Sequence, residues 1–146
     1  MTMCRGVRGA TTAVANEREA ILEATKELLT RLVERNQVSP DDIAAIFFTV
    51  GDDLDAEYPA LAARLLGWNE TALMCAREIP VPTTVAPRCI RVLMLINTEK
   101  SASQIAHVYL REAVALRPSR ADISVESATS DANGAVDFDA TKSHDA

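Results

Sequence analysis

Histidine, cysteine and glycine are scarce in this chain, and each scarcity removes a class of chemistry. Two histidines in 146 residues, His107 and His144, are too few for a His-rich metal site. Three cysteines, Cys4, Cys75 and Cys89, are odd in number and form no C-x-x-C pair. That argues against a disulfide framework or a thiolate metal centre and suits a reducing cytoplasm. The five glycines form no phosphate-cradling loop, and no G-x-S-x-G nucleophile elbow occurs. No apolar run approaches the roughly 20 residues of a membrane span. Met1-Thr2-Met3-Cys4-Arg5 leads straight into a strand-like segment and lacks the apolar core of a signal peptide. The expectation is a cytoplasmic protein with no membrane contact, no metal and no cofactor.

What is present reads as one domain with an extension. Apolar residues make up 48% and charged residues 25%, ordinary values for a globular chain large enough to bury a core. Residues 119–146 hold two basic and six acidic side chains, a net of −4 out of −6 for the whole chain. They are rich in Ser, Ala, Asp and Thr, with one aromatic, Phe138, and no sustained periodicity. The expectation is a folded domain over 1–118 and an acidic, disordered tail over 119–146. The near-neutral body offers no basic stripe, so nucleic acid is not an expected partner.

The body alternates strand-like and helix-like segments. Met3 to Thr12 reads as a strand in which Gly6 and Gly9 mark a bend or a close backbone approach. Asn16 is the expected cap of a long helix, with Glu19 at the capping-box position. Its apolar stripe, Ile21, Leu22, Leu28, Leu29, Leu32 and Val33 with Thr25 in the gap, predicts a helix lying on a sheet. Ile43 to Val50 reads as a second strand, and Pro59 to Leu66 as a short helix stopped by Gly67. Thr71 to Cys75 is a brief strand, Ile79 to Pro87 a proline-rich loop, and Cys89 to Ile96 an apolar strand. Ser101 to Ile105 suggests one helical turn, and a last strand is expected at Ala113 to Leu116. The fold class is α/β (α+β), a mixed sheet of about five strands covered by one long helix. Strands 43–50 and 89–96 look apolar on both faces, and one helix covers one face. The missing cover predicts a homo-oligomer.

Two arginines stand inside strand-like segments. Arg91 interrupts Cys89-Ile90-Arg91-Val92-Leu93-Met94-Leu95-Ile96, and Arg8 lies in Arg5-Gly6-Val7-Arg8-Gly9-Ala10-Thr11-Thr12. A guanidinium stays charged and must keep its donors satisfied, so either the fold supplies an acid or a ligand supplies an anion. Glu78 could be that acid. Alternatively, two such arginines in one sheet could clamp a carboxylate through planar bidentate forks. On a period of two, Arg8 shares a face with the small Gly6 and Ala10, and Arg91 with Cys89, Leu93 and Leu95.

The Arg5–Thr12 run, Cys75-x-x-Glu78, Cys89-Ile90-Arg91-Val92, and His107-Val108-Tyr109-Leu110 with Leu116-Arg117-Pro118 resemble the monofunctional AroH-class chorismate mutases. The resemblance runs in order from about residue 3 to 118. It implies a homotrimer with a pseudo-α/β-barrel core and active sites at subunit interfaces. It also implies the cofactor-free Claisen rearrangement of chorismate to prephenate, in phenylalanine and tyrosine biosynthesis. By position, the catalytic residues implied are Arg91, Glu78 and Arg8. Arg91 would contact the ether oxygen and a substrate carboxylate, and Arg8 the enolpyruvyl carboxylate, with Tyr109 donating to it. Glu78 and Cys75 would hold the ring hydroxyl. Tyr58, Ala60, Arg64 and Met74 are further implied contacts, the first three from the neighbouring subunit, and Leu116 and Arg117 would close the site. Two positions depart from the family pattern: Tyr58 stands where members often carry phenylalanine, and Leu61 where a lysine lies near the pocket mouth. The alternatives are a RidA-like imine deaminase, which also uses an interface arginine, and a non-catalytic metabolite-binding trimer.

Overall fold

The structure, a computed structural model, describes residues 1–82 and 86–116 and the backbone of 123–125. Its centre is the antiparallel pairing of β1 (Met3–Thr12) with β4 (Cys89–Thr98), in unbroken register from Met3 opposite Thr98 to Thr12 opposite Cys89. On the other side of β4 lies β2 (Ile43–Val50), also antiparallel, and β3 (Ala72–Arg77) pairs parallel to β2. Next to β1 runs the short parallel β5 (His107–Tyr109), followed by β6 (Ile123–Val125). The sheet order is β3-β2-β4-β1-β5-β6. The sixth strand lies within the segment expected to form the tail.

Helix α1 (Arg18–Asn36) joins β1 to β2, and the five-residue α2 (Leu61–Leu65) joins β2 to β3. Both pack on one face of the sheet. Of the predicted stripe of α1, Leu22, Leu28, Leu29 and Leu32 are buried there, with Val33 half-buried, against Val7, Ile46, Phe48, Val92, Met94 and Ile96, while Ile21 is buried beside Leu54 and Ile90. Thr25 fits this apolar interface because its hydroxyl donates to the carbonyl of Ile21 at 2.7 Å. Gly9 is where the helix comes closest: a Cβ there would meet Leu28 Cδ1 and Leu32 Cδ1, both at 3.1 Å.

The opposite face is covered at one end, where Ala113 and Leu116 pack on Ala10, Cys89 and Tyr109, and is otherwise exposed among the described residues. It carries Phe47, Met74 and Leu93, all exposed, with half-buried Leu95. These are the second apolar sides of strands that looked apolar throughout.

Three local expectations change. Asn16 does not cap α1. Its Oδ1 accepts the backbone N–H groups of Asp55 and Ala56, both at 3.1 Å, and Glu17 precedes the helix without a side-chain cap. The amide is spent on fixing the 51–56 loop, a long-range demand invisible to local patterning. Second, Ala113 to Leu116 is not a strand. The last ladder bond is Leu110 N–H to the carbonyl of Ala10 at 2.9 Å; Arg111 then turns to φ 54, and Arg111–Leu116 winds into a 3-10 helix. Its Ala- and Leu-rich composition favours that state. Third, β4 runs on to Thr98 and β3 to Arg77.

The three residues of β5 are pinned from α1. Asn36, buried at the helix end, accepts the Ala106 N–H at 2.8 Å and donates to the Ala106 carbonyl at 2.9 Å. Arg8 N–H then donates to His107 Nδ1 at 2.9 Å. A strand this short gains its place from such clasps, and they set the position of Tyr109.

Candidate active site

Register across the open face builds the site. Arg91 lies opposite Ala10 of β1 on one side and Thr49 of β2 on the other. Ala10 pairs with Tyr109, and Thr49 with Ala76. One row therefore crosses five strands in the order Ala76, Thr49, Arg91, Ala10, Tyr109. At about 4.8 Å between strands, Tyr109 stands about 10 Å from Arg91 across the small Ala10, which is buried beneath Ala113 and Leu116. Arg8 sits one pleat along β1, opposite Leu93. Small residues thus make a trough, with arginines and a buried tyrosine at its rim.

Glu78 enters this trough from the end of β3. Its N–H continues the ladder to the Val50 carbonyl at 2.9 Å, so alternation places it on the open side with Met74 and Ala76. Its Oε2 lies 3.4 Å from Arg91 Nη1 and accepts the Thr49 hydroxyl at 2.6 Å. The protein therefore does supply an acid to Arg91. The pair is loose, however, and the Arg91 side chain is 54% exposed within one chain, against the buried arginine that its apolar surroundings suggested.

Two cavities flank this pair. One, of about 360 Å³, is lined by Arg8, Phe47, Thr49, Glu78, Arg91 and Tyr109 among others. The second, about 530 Å³, shares Thr49, Glu78 and Arg91 and adds Asp53, Ile79, Val81, Cys89 and Leu116. Both volumes suit a small ligand. In the first, two arginines face one carboxylate, an excess of positive charge suited to an organic anion. Cys89 beside Arg91 is no thiolate: burial pushes its thiol up to about 11, the Arg91 guanidinium pulls against that shift, and the Glu78 and Asp53 carboxylates add to it.

The remaining sequence-derived residues gather elsewhere. Cys75 pairs with Phe48 and packs towards α2, on the opposite face of β3 from Glu78. Burial raises its thiol pKa, while a backbone hydrogen bond with Ala60 and the charge of Arg64 oppose that rise. Tyr58, mostly exposed, lines a groove of about 410 Å³ with Cys75. Arg64 is exposed on α2, Ala60 buried at its start and Leu61 half-buried. Met74 is exposed on the open face. One chain thus brings together Arg8, Glu78, Arg91, Tyr109 and Leu116, and separately Tyr58, Ala60, Arg64 and Cys75. Arg117 lies outside the described residues. Thr49 escaped the sequence reading. Its only local signal is a hydroxyl at the same strand parity as Phe47, and its place opposite Arg91 depends on the β2–β4 register.

Among the described residues no three His, Cys, Asp or Glu side chains gather as a metal site, and no helix is long and apolar enough to cross a membrane. The family model for chorismate mutase type I matches residues 4–120. A chorismate mutase AroH of Thermus thermophilus is 50% identical over 117 residues, covering 80% of this chain and 95% of that protein. The corresponding AroH of Bacillus subtilis (strain 168) is 42% identical over 117 residues, covering 80% and 91%. A solved chorismate mutase from Clostridium thermocellum superposes with a TM-score of 0.73 at 48% identity, covering 75% of this chain and 97% of that one. By sequence and by fold, the chain belongs to the type I chorismate mutases.

Proposed function

We propose that this protein converts chorismate to prephenate in aromatic amino acid biosynthesis, as a cytoplasmic homotrimer with its active sites between subunits. The observation that carries the reading is the trough in which Arg91, Arg8, Glu78 and Tyr109 converge, in a chain of this family. Chorismate is a dianion. In its rearrangement the ether C–O bond breaks as a C–C bond forms within one cyclic shift of electrons. No proton, nucleophile or cofactor takes part. What remains for a protein to supply is the folded conformer and charge opposite the ether oxygen as that bond breaks.

Each side chain has a role of that kind. Arg91 projects from β4, held by β1 and β2 on either side, and brings a permanent positive charge to the ether oxygen. Arg8 forks onto the enolpyruvyl carboxylate, and the Tyr109 hydroxyl donates to it. Glu78 accepts the ring hydroxyl. Leu116 and Arg117 close the site.

The subunit interface is supported by two features. The sheet face around the trough exposes Phe47, Met74 and Leu93. Glu78 and Cys75 of one chain lie on opposite faces of β3, so a substrate touching both takes them from different chains. Tyr58, Ala60 and Arg64 then arrive with Cys75 from the neighbour.

The test is the ultraviolet loss of chorismate absorbance with purified protein, with prephenate identified as product. Chorismate bound without turnover would favour a non-catalytic metabolite-binding trimer, and ammonia release from imines without chorismate loss a RidA-like deaminase.

A further inference from the structure

We infer that Thr49 is a positioning residue for the rearrangement, setting the carboxylate of Glu78 so that one oxygen serves the protein and the other the substrate. This rests on the chorismate mutase reading. Thr49 Oγ1 donates to Glu78 Oε2 at 2.6 Å, and Arg91 Nη1 approaches the same oxygen at 3.4 Å. Among the described residues no hydrogen-bond partner holds Oε1. Thr49 lies in register with Arg91 and lines both cavities that meet at the pair.

Two consequences follow from that geometry. The carboxylate cannot rotate freely, because a short hydrogen bond from a strand-borne hydroxyl fixes Oε2. That leaves Oε1 as the oxygen to accept from the ring hydroxyl. The bond also keeps Glu78 from closing onto Arg91. A guanidinium and a carboxylate left to themselves contract to about 2.7–2.9 Å. At 3.4 Å the guanidinium keeps its donors for the substrate. Threonine suits the task because its β-branched side chain has few rotamers in a strand. Glu78 would touch substrate directly; Thr49 acts through it.

The experiment compares steady-state kinetics of the full chain with Thr49→Val, Thr49→Ala, Thr49→Ser, Glu78→Gln and the double variant Thr49→Val/Glu78→Gln, each checked for an intact fold by circular dichroism. Thr49→Val is expected to lower kcat/KM roughly 10–100-fold, the scale of a hydrogen bond to a charged group. The loss should reach kcat as well as KM, because Glu78 then quenches Arg91. Thr49→Ser should stay within about threefold of the parent, and Thr49→Ala reports the same loss if the valine variant does not fold. In the Glu78→Gln background the valine substitution should cost less than about threefold, since two residues acting as a unit are not additive. Near-parental turnover by Thr49→Val, equal losses for serine and valine, or an undiminished loss in the Glu78→Gln background would each overturn the role. A parent protein that leaves chorismate unconverted overturns the mutase reading itself, and this inference with it.

Discussion

Replacing Arg91 by alanine is expected to abolish most turnover while barely loosening the fold, and the two effects can be sized separately. Within one chain the Arg91 side chain is 54% exposed and Glu78 35%, at an Nη1–Oε2 distance of 3.4 Å. In a water-like dielectric that separation gives about 1.2 kcal/mol of attraction. Side-chain ordering and solvent screening reduce the net to about 1 kcal/mol or less. Glu78 is not orphaned by the change, because Thr49 still donates to it at 2.6 Å. The melting temperature should therefore move by no more than about 5 °C. Catalysis answers to a different term. Removing one preorganised donor opposite a developing oxyanion costs about 2.7–4 kcal/mol, or roughly 10²–10³ in kcat. Arg91→Lys should fall between parent and alanine variant, keeping the charge but losing the planar fork. Initial rates of chorismate loss, set beside thermal melts by circular dichroism, give both numbers. A folded Arg91→Ala protein turning over within about tenfold of the parent would refute the assignment of the ether-oxygen contact.

Three further perturbations test other parts of the structure. Cys89 has a folded pKa of about 11 against an ordinary 9.0, so between those values the folded chain keeps a proton that the unfolded chain has lost. Its contribution is complete below pH 9 and declines as pH rises to 11, by up to about 3 kcal/mol. Melting temperatures over that range should fall more steeply for the parent than for Cys89→Ala, and parallel curves would contradict the burial argument. Leu93→Arg places a charge on the exposed sheet face, and if the protein is the proposed homotrimer it should drop to a smaller species in light scattering with its secondary structure intact. An unchanged mass would mean that this face is not the interface. Gly9→Ala inserts a Cβ 3.1 Å from two leucine methyl groups of α1. The leucine ends can shift, so the expected cost is about 1 kcal/mol by urea denaturation, and an equal or higher stability would show slack in this contact.

Much of the chain's organisation is local and was readable as such. The stripe of α1 marked the sheet-facing side of that helix, since 3.6-residue spacing puts Ile21, Thr25, Leu28 and Leu32 on one line. Gly67 at φ 88 stops α2 as its sequence position suggested. Alternation correctly placed Arg8 with Gly6 and Ala10, and Arg91 with Leu93 and Leu95. The short motifs carried the family resemblance, and with it the activity, because they recur in order and at near-matching spacing along the chain.

Asn16, β5 and Thr49 show what alternation and caps cannot provide. Asn16 is a good helix cap by composition, yet its amide closes a loop about forty residues away. The strand expected at 113–116 lies instead at His107–Tyr109, held by Asn36 and the Arg8 backbone. By itself the sequence determined which residues share a strand face, which side of α1 is buried, and the inventory of charge available for catalysis. Only the tertiary structure decided which of those residues meet: the row from Ala76 to Tyr109, Thr49 beside Glu78, and Cys75 turned away from both. Side-chain parity is a property of one strand and repeats every two residues. Register between strands is set by pairing and packing over the whole sheet, and a slip of one residue would turn Arg91 or Thr49 to the other face.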